Sequence, residues 1–163
     1  MTDLPKYTAL EIERRWLVDL HAVGDIESTP FRSIDDLYVA NSRLRLRRIT
    51  DQNGESIFKL GKKYGKRSTR VEPVSTLYLS EAEYLELATL PGFAISKSRY
   101  SVAGGSLDVF HPPILDLAIF EIEFETERLA ERYQPPTFAT QEVTGSAAYS
   151  CWSLAKNGGL TRR

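Results

Sequence analysis

The chain reads as a series of short runs in which apolar and charged residues alternate. In residues 11–18, EIERRWLV, Glu11, Glu13 and Arg15 fall on one side of an extended segment. Ile12, Trp16 and Val18 fall on the other, with Arg14 out of phase. Residues 43–49 repeat the pattern, with Arg43, Arg45 and Arg47 on one face and Leu44 and Leu46 on the other. A period of two marks a strand with one face on a core and one in a polar medium. Asn53-Gly54 predicts a hairpin turn into a strand over about 55–62, where Lys59 lies opposite Phe58 and Leu60. Residues 67–79 predict one or two strands broken at Pro73. Strands follow over 94–102 (Lys97, Arg99 and Ser101 on one face), 106–111 (Asp108) and 117–125 (Glu121, Glu123 and Glu125).

Helices are predicted in three places. Ser80 with Glu83 makes a capping box that opens a helix over 81–90, ended by Pro91-Gly92. Residues 126–133 predict a short helix before Pro135-Pro136. Residues 146–157 predict a third, with Ala148, Cys151, Trp152 and Ala155 on one apolar face and Gly158 as its stop. About eight strands at short spacing with two or three helices imply an α+β fold, its antiparallel sheet closed or strongly curved. The length, 163 residues, is that of one domain over 1–163.

Composition removes several alternatives. Hydrophobic residues are 42% and charged residues 26%, which fits neither disorder nor a coiled coil. No run approaches the roughly 18 apolar residues of a membrane span. The N-terminus lacks the apolar stretch of a signal peptide, so a cytoplasmic protein is expected. The lone Cys151 excludes an internal disulfide, and with only His21 and His111 a zinc site is not expected.

Charge adds an asymmetry. The net charge is −1, yet residues 1–70 carry +4 and residues 71–163 carry −5. Residues 43–70 hold ten basic and two acidic residues, either a solvated face or a surface that attracts a polyanion. The polar faces of the strands decide more, because they are nearly pure charge and several of them carry one sign. On a convex surface such rows repel, with residues i and i+2 about 7 Å apart. Around a hollow, acidic rows face basic ones. The alternative is an open sheet with solvent-facing ion pairs, each worth about 0–1 kcal/mol. A charged hollow must be wet or filled by ligand. Its carboxylates, paired at Glu11/Glu13 and Glu121/Glu123, suit Mg²⁺ or Mn²⁺, and its arginines suit phosphate oxygens. Together these are the parts for reactions of polyphosphates.

The ordered set of motifs resembles the CYTH family, also called triphosphate tunnel metalloenzymes, across about residues 9–157. Glu11-Ile12-Glu13-Arg14-Arg15 resembles the E-x-E-x-K signature, Arg45 and Arg47 the R-x-R strand, and Lys59 the T-x-K-type strand. Arg70-Val71-Glu72 resembles R-x-E, Lys97 and Arg99 K-x-R, Asp108 the next acidic strand, and Glu121 and Glu123 the late E-x-E. VTGSAAYSCWSLA resembles the closing T-G-D-x-x-Y-x-x-x-L-A segment. The resemblance implies an eight-stranded antiparallel closed barrel, a charged tunnel with a few flanking helices. It implies metal bound by Glu11, Glu13, Glu72, Asp108, Glu121 and Glu123, with Mg²⁺ or Mn²⁺ as cofactor. Arg15, Arg45, Arg47, Lys59, Arg70, Lys97 and Arg99 would bind substrate, and Glu11, Glu13 and Arg15 are the catalytic candidates. Inorganic triphosphate hydrolysis is the favoured activity. The alternatives are a class IV-type adenylate cyclase and a non-catalytic polyphosphate or nucleotide binder. A small triphosphate or nucleotide is the expected partner, neither membrane nor nucleic acid is expected, and a homodimer is left open. Three departures are Arg15 for the signature lysine, Val74 for a second acid after Glu72, and Ser146 for the usual acid after Gly145.

Overall fold

A computed structural model of the protein describes residues 4–162. Eight strands form its frame: β1 (Ala9–Val18), β2 (Phe31–Val39), β3 (Leu44–Thr50), β4 (Ser56–Lys63), β5 (Val71–Leu79), β6 (Gly92–Val102), β7 (Gly105–Phe110) and β8 (Ala118–Glu123). They follow one another as β6-β2-β3-β4-β5-β1-β8-β7, every pair antiparallel, and β7 pairs back onto β6 to close the barrel. Two short strands, β9 (Ala139–Glu142) and β10 (Leu160–Arg162), pair with β1 and β6. The helices are α1 (Glu81–Leu87), α2 (Glu127–Arg132) and α3 (Cys151–Gly158). None of the described helices is long and apolar enough to cross a membrane.

Local chemistry explains the joints. Asp51 accepts the amides of Asn53 and Glu55 in the β3–β4 turn, where Gly54 sits at φ 83°. Ser80 and Glu83 cap α1 reciprocally. Pro73 does not break its strand as the sequence suggested. β5 runs through it, exchanging partners there from β1 (residues 71–74) to β4 (residues 74–79). The eighth strand is instead β2, which sequence patterning left out. Its adjacent Asp35 and Asp36 break the alternation because both faces of this strand carry an acid.

Residues directly opposite each other in an antiparallel ladder share a face, so one inward set can be followed around the barrel. It holds Glu11, Glu13, Arg15 and Leu17 on β1; Arg32, Ile34, Asp36 and Tyr38 on β2; Arg45 and Arg47 on β3; Lys59, Gly61 and Lys63 on β4; and Glu72 on β5. It continues with Ile95, Lys97 and Arg99 on β6, Asp108 and Phe110 on β7, and Ile119, Glu121 and Glu123 on β8. The outward apolar face is covered twice. Leu37, Leu46 and Ala94 lie under Tyr84, Leu87 and Ala88 of the α1 region. Trp16 and Phe120 pack with Phe138 and Tyr133.

The third helix lies across one end of the barrel. Ile95, Phe110 and Ile119 continue the inward rows of Lys97, Asp108 and Glu121 to one end of the barrel, where they pack with Leu17, Leu154 and Ala155. An apolar stretch of the inward face needs a cover, and α3 supplies it by closing that end. Trp152 turns away and is 42% exposed. Charged side chains make up most of the remaining inward rows.

Candidate functional site

The basic wall is formed by β6, β2, β3 and β4. Two buried aspartates organise it. Asp36, 2% exposed, accepts two hydrogen bonds from Arg47, Nε at 2.6 Å and Nη2 at 2.7 Å, with Arg45 Nε at 3.9 Å. Burial alone would raise the Asp36 pKa, but the Arg47 guanidinium outweighs it and holds the carboxyl down at about 2. Asp108, 1% exposed, accepts from Lys97 Nζ at 2.5 Å and from Arg99 at 2.6 and 2.8 Å. Burial opposes ionisation there as well, and Lys97 and Arg99 hold the carboxyl well below its ordinary range. Four cations thus stand on two carboxylates, leaving surplus positive charge directed inward. Gly61 shares this inward row, and a β-carbon there would make only an ordinary contact with Arg45 Nη2, at 3.6 Å.

The acidic wall is formed by β5, β1 and β8. Glu11 lies opposite Glu72, Glu13 opposite Glu123, and Arg15 opposite Glu121. Lys63 at the end of β4 donates to Glu11 at 2.5 Å and approaches Glu72 at 3.5 Å. Arg99 and Arg15 hold Glu121 below the usual carboxylate range against the opposing effect of burial. Glu13 has no such partner. Burial first, and then the charge of Glu121, push it up to about 7. Glu123 is raised by burial, Glu11 and Glu121. Arg15 donates from Nη1 to the Tyr149 carbonyl at 2.9 Å, and its Nη2 lies 3.7 Å from Cys151 Sγ.

Several of the predicted site residues have defined partners. Asp108 spends its oxygens on Lys97 and Arg99. Arg70 precedes β5, where its carbonyl accepts from the Glu13 amide at 3.1 Å and its guanidinium pairs with Glu131 of α2 at 3.6 Å. Lys59 faces inward opposite Arg47, with Nζ 4.9 Å from the Tyr78 ring centroid. Lys63, which lies just past the strand expected over 55–62, joins Arg15 as a cation on the acidic wall. Only the uncharged Gly61 hid it, because Lys59, Gly61 and Lys63 keep one parity. Asp36, Tyr38 and Arg32 were missed with β2 itself. Arg32 extends the basic wall directly opposite Arg99.

The donor set fits a hard divalent cation. Glu11, Glu13, Glu72, Glu121 and Glu123 offer only oxygen, and the raised Glu13 reflects burial first and the charge of Glu121 second. Among the described residues no three His, Cys, Asp or Glu side chains are already gathered around a common point. Two buried guanidinium nitrogens, Arg15 Nε and Arg45 Nε, have no hydrogen-bond acceptor.

The fold is thus a closed barrel in which a basic wall faces an acidic one. No family model matches the chain. The inorganic triphosphatase of Nitrosomonas europaea is 33% identical over 151 residues, which cover 89% of this chain and 96% of that one. The solved structure of an inorganic triphosphatase is similar with a TM-score of 0.56 at 24% identity, covering 89% of this chain and 93% of that one. A candidate adenylate cyclase from Bacillus halodurans is similar in fold, with a TM-score of 0.50 at 18% identity over 80% of this chain and 95% of its own. The chain belongs to the CYTH, or triphosphate tunnel, family.

Proposed function

We propose that this protein hydrolyses inorganic triphosphate inside the barrel, with a divalent cation as cofactor. The observation that carries the reading is the basic wall: Arg45, Arg47, Lys97 and Arg99 held inward by two buried aspartates, with Arg45 Nε still lacking an acceptor. Fixed guanidinium donors lining a hollow bind phosphate oxygens strongly and do not reorganise as charge moves in the reaction. The acidic wall repels an anion laid against it, which confines triphosphate to the opposite side and leaves the space between to water and cation.

Water attacks the terminal phosphorus, the bond to the bridging oxygen breaks, and phosphate and diphosphate leave. Glu11, Glu13, Glu121 and Glu123 would hold Mg²⁺ or Mn²⁺, with Glu72 beside them. Bound there, the metal supplies neutralisation of phosphate charge and a source of polarised water. Arg15, fixed by the Tyr149 carbonyl and Glu121, presents a cation from the acidic side.

A second reading, the cyclase, draws on Tyr78, an inward-facing residue that is 72% exposed beside Lys59, where a nucleoside has an aromatic surface to rest on. Phosphate release from inorganic triphosphate and from ATP, with Mg²⁺ and with Mn²⁺, tests both. Hydrolysis of inorganic triphosphate in excess over ATP is expected. Cyclic AMP as the main product, or tight triphosphate binding with no turnover at either metal, would replace the reading.

A further inference from the structure

The row Arg43, Arg45, Arg47 divides in the fold. Arg45 and Arg47 enter the barrel, while Arg43 precedes β3 and is exposed beyond the end that α3 closes. The β2–β3 turn, the start of β6 and α3 there enclose an open cavity of about 440 Å³, lined by Asn41, Ser42, Arg43, Phe93, Trp152 and Lys156 among others. Three features set it apart. Trp152 is 42% exposed, whereas Trp16, the other tryptophan, is 3% exposed. Lys156, one helical turn further along α3, holds its ammonium 4.9 Å from the Trp152 ring centroid. Arg43 lines the same cavity and is exposed, its guanidinium resting near Gly65. Among the described residues neither Arg43 nor Lys156 has a carboxylate partner.

We propose that this cavity is a second anion site, separate from the tunnel, for a small aromatic phosphate of the nucleoside monophosphate class. A flat π-system stacks on an exposed indole whatever its hydrogen-bonding edge. The phosphate pairs with Arg43 and with Lys156, which exchanges the indole face for the oxyanion. Inorganic phosphate meets only the second of these needs. The volume suits a ligand of that size.

Tryptophan emission of the full chain reads the site directly, because Trp16 is buried. Titration with adenosine 5′-monophosphate, excited where the purine does not absorb, is expected to quench emission saturably, and inorganic phosphate is expected not to. Arg43→Gln and Lys156→Gln each weaken the response at least tenfold, and Trp152→Phe abolishes it. Saturating metal-free inorganic triphosphate leaves it in place. Non-saturating quenching, equal quenching by phosphate, an unchanged response in both cation variants, or loss of the response to inorganic triphosphate would each overturn the proposal. Arg43→Gln keeps its rate of inorganic triphosphate hydrolysis. The emission readout stands whether or not the tunnel turns over substrate.

Discussion

Two ion pairs on β2 and β3 share their chemistry and differ in direction. Asp35 pairs with Arg48 and Asp36 with Arg47; the acids are neighbours in sequence, the arginines are neighbours, and each pair lies directly opposite in one ladder. Arg48 donates to Asp35 at 2.8 Å and Arg47 to Asp36 at 2.6 Å. The outer side chains are 46% and 36% exposed, the inner 10% and 1%. Water competes for every partner in the outer pair. In the inner pair each ion is the main compensation for the other's desolvation, so neither can be removed alone. The comparison teaches that direction, not composition, turned an ordinary charged strand into part of a site.

The sharpest way to break the comparison is to neutralise each acid in turn. Asp36→Asn leaves Arg47 buried without its counter-charge and loosens Arg45. The expected loss is about 3–5 kcal/mol of stability, a fall in Tm of about 10 °C for a domain of this size. Calorimetry of Asp36→Asn beside Asp35→Asn reads it, and equal losses would show that the interior is solvated like the exterior. Next in size is Glu13→Gln. It removes a charge that burial and Glu121 already disfavour, so the fold survives with Tm at pH 8 unchanged or higher. Hydrolysis of inorganic triphosphate falls on the order of 100-fold or more. Retained turnover in a folded Glu13→Gln protein would remove Glu13 from the reaction.

The strands with alternating rows were legible because their outward face is apolar and their inward face charged: β1, β3, β6 and β8 needed no more than parity. β2 was not, since its two adjacent acids serve opposite faces and cancel the signal. With it went Asp36, whose role depends on closure bringing β2 between β3 and β6. Lys63 was hidden for a local reason, the uncharged Gly61 that interrupts the row between Lys59 and Lys63. The position of α3 was beyond patterning altogether. An apolar helical face states that something is buried, and only the inward parity of Ile95, Phe110 and Ile119 shows that the partner is the barrel's end.

The two walls also predict a pH dependence of opposite signs. Asp36 in the folded protein titrates at about 2, below its ordinary 3.8. Its contribution is present above the ordinary value and lost as pH falls toward 2, on the order of 2 kcal/mol. Glu13 titrates at about 7, above its ordinary 4.5. Its contribution is present below the ordinary value and lost as pH rises through 7, on the order of 3 kcal/mol. Metal-free protein is therefore most stable near pH 4–5, and its Tm declines toward pH 8. Glu13→Gln flattens the upper limb, and a divalent cation held by the acidic wall restores Tm at pH 8. A Tm that rises steadily from pH 5 to pH 8 in metal-free protein would contradict the crowding of the carboxylates.

The smallest effect belongs to the outer pair, and its smallness is informative. Arg48→Ala removes a guanidinium whose bonds to Asp35, at 3.2 and 2.8 Å, are made in water. Asp35 keeps the Ser96 hydroxyl as a donor at 2.6 Å, so no carboxylate is stranded by the change. The expected cost is 1 kcal/mol or less, roughly the scale of exposed pairs, with kcat and KM for inorganic triphosphate unchanged. The same truncation at Arg47 strands Asp36 and withdraws a phosphate donor, so it lowers Tm and raises KM together. Urea unfolding and steady-state kinetics of the two variants, side by side, separate an arginine that decorates a strand from one that builds the hollow. A KM change in Arg48→Ala comparable to that in Arg47→Ala would mean that the outer face also meets the substrate.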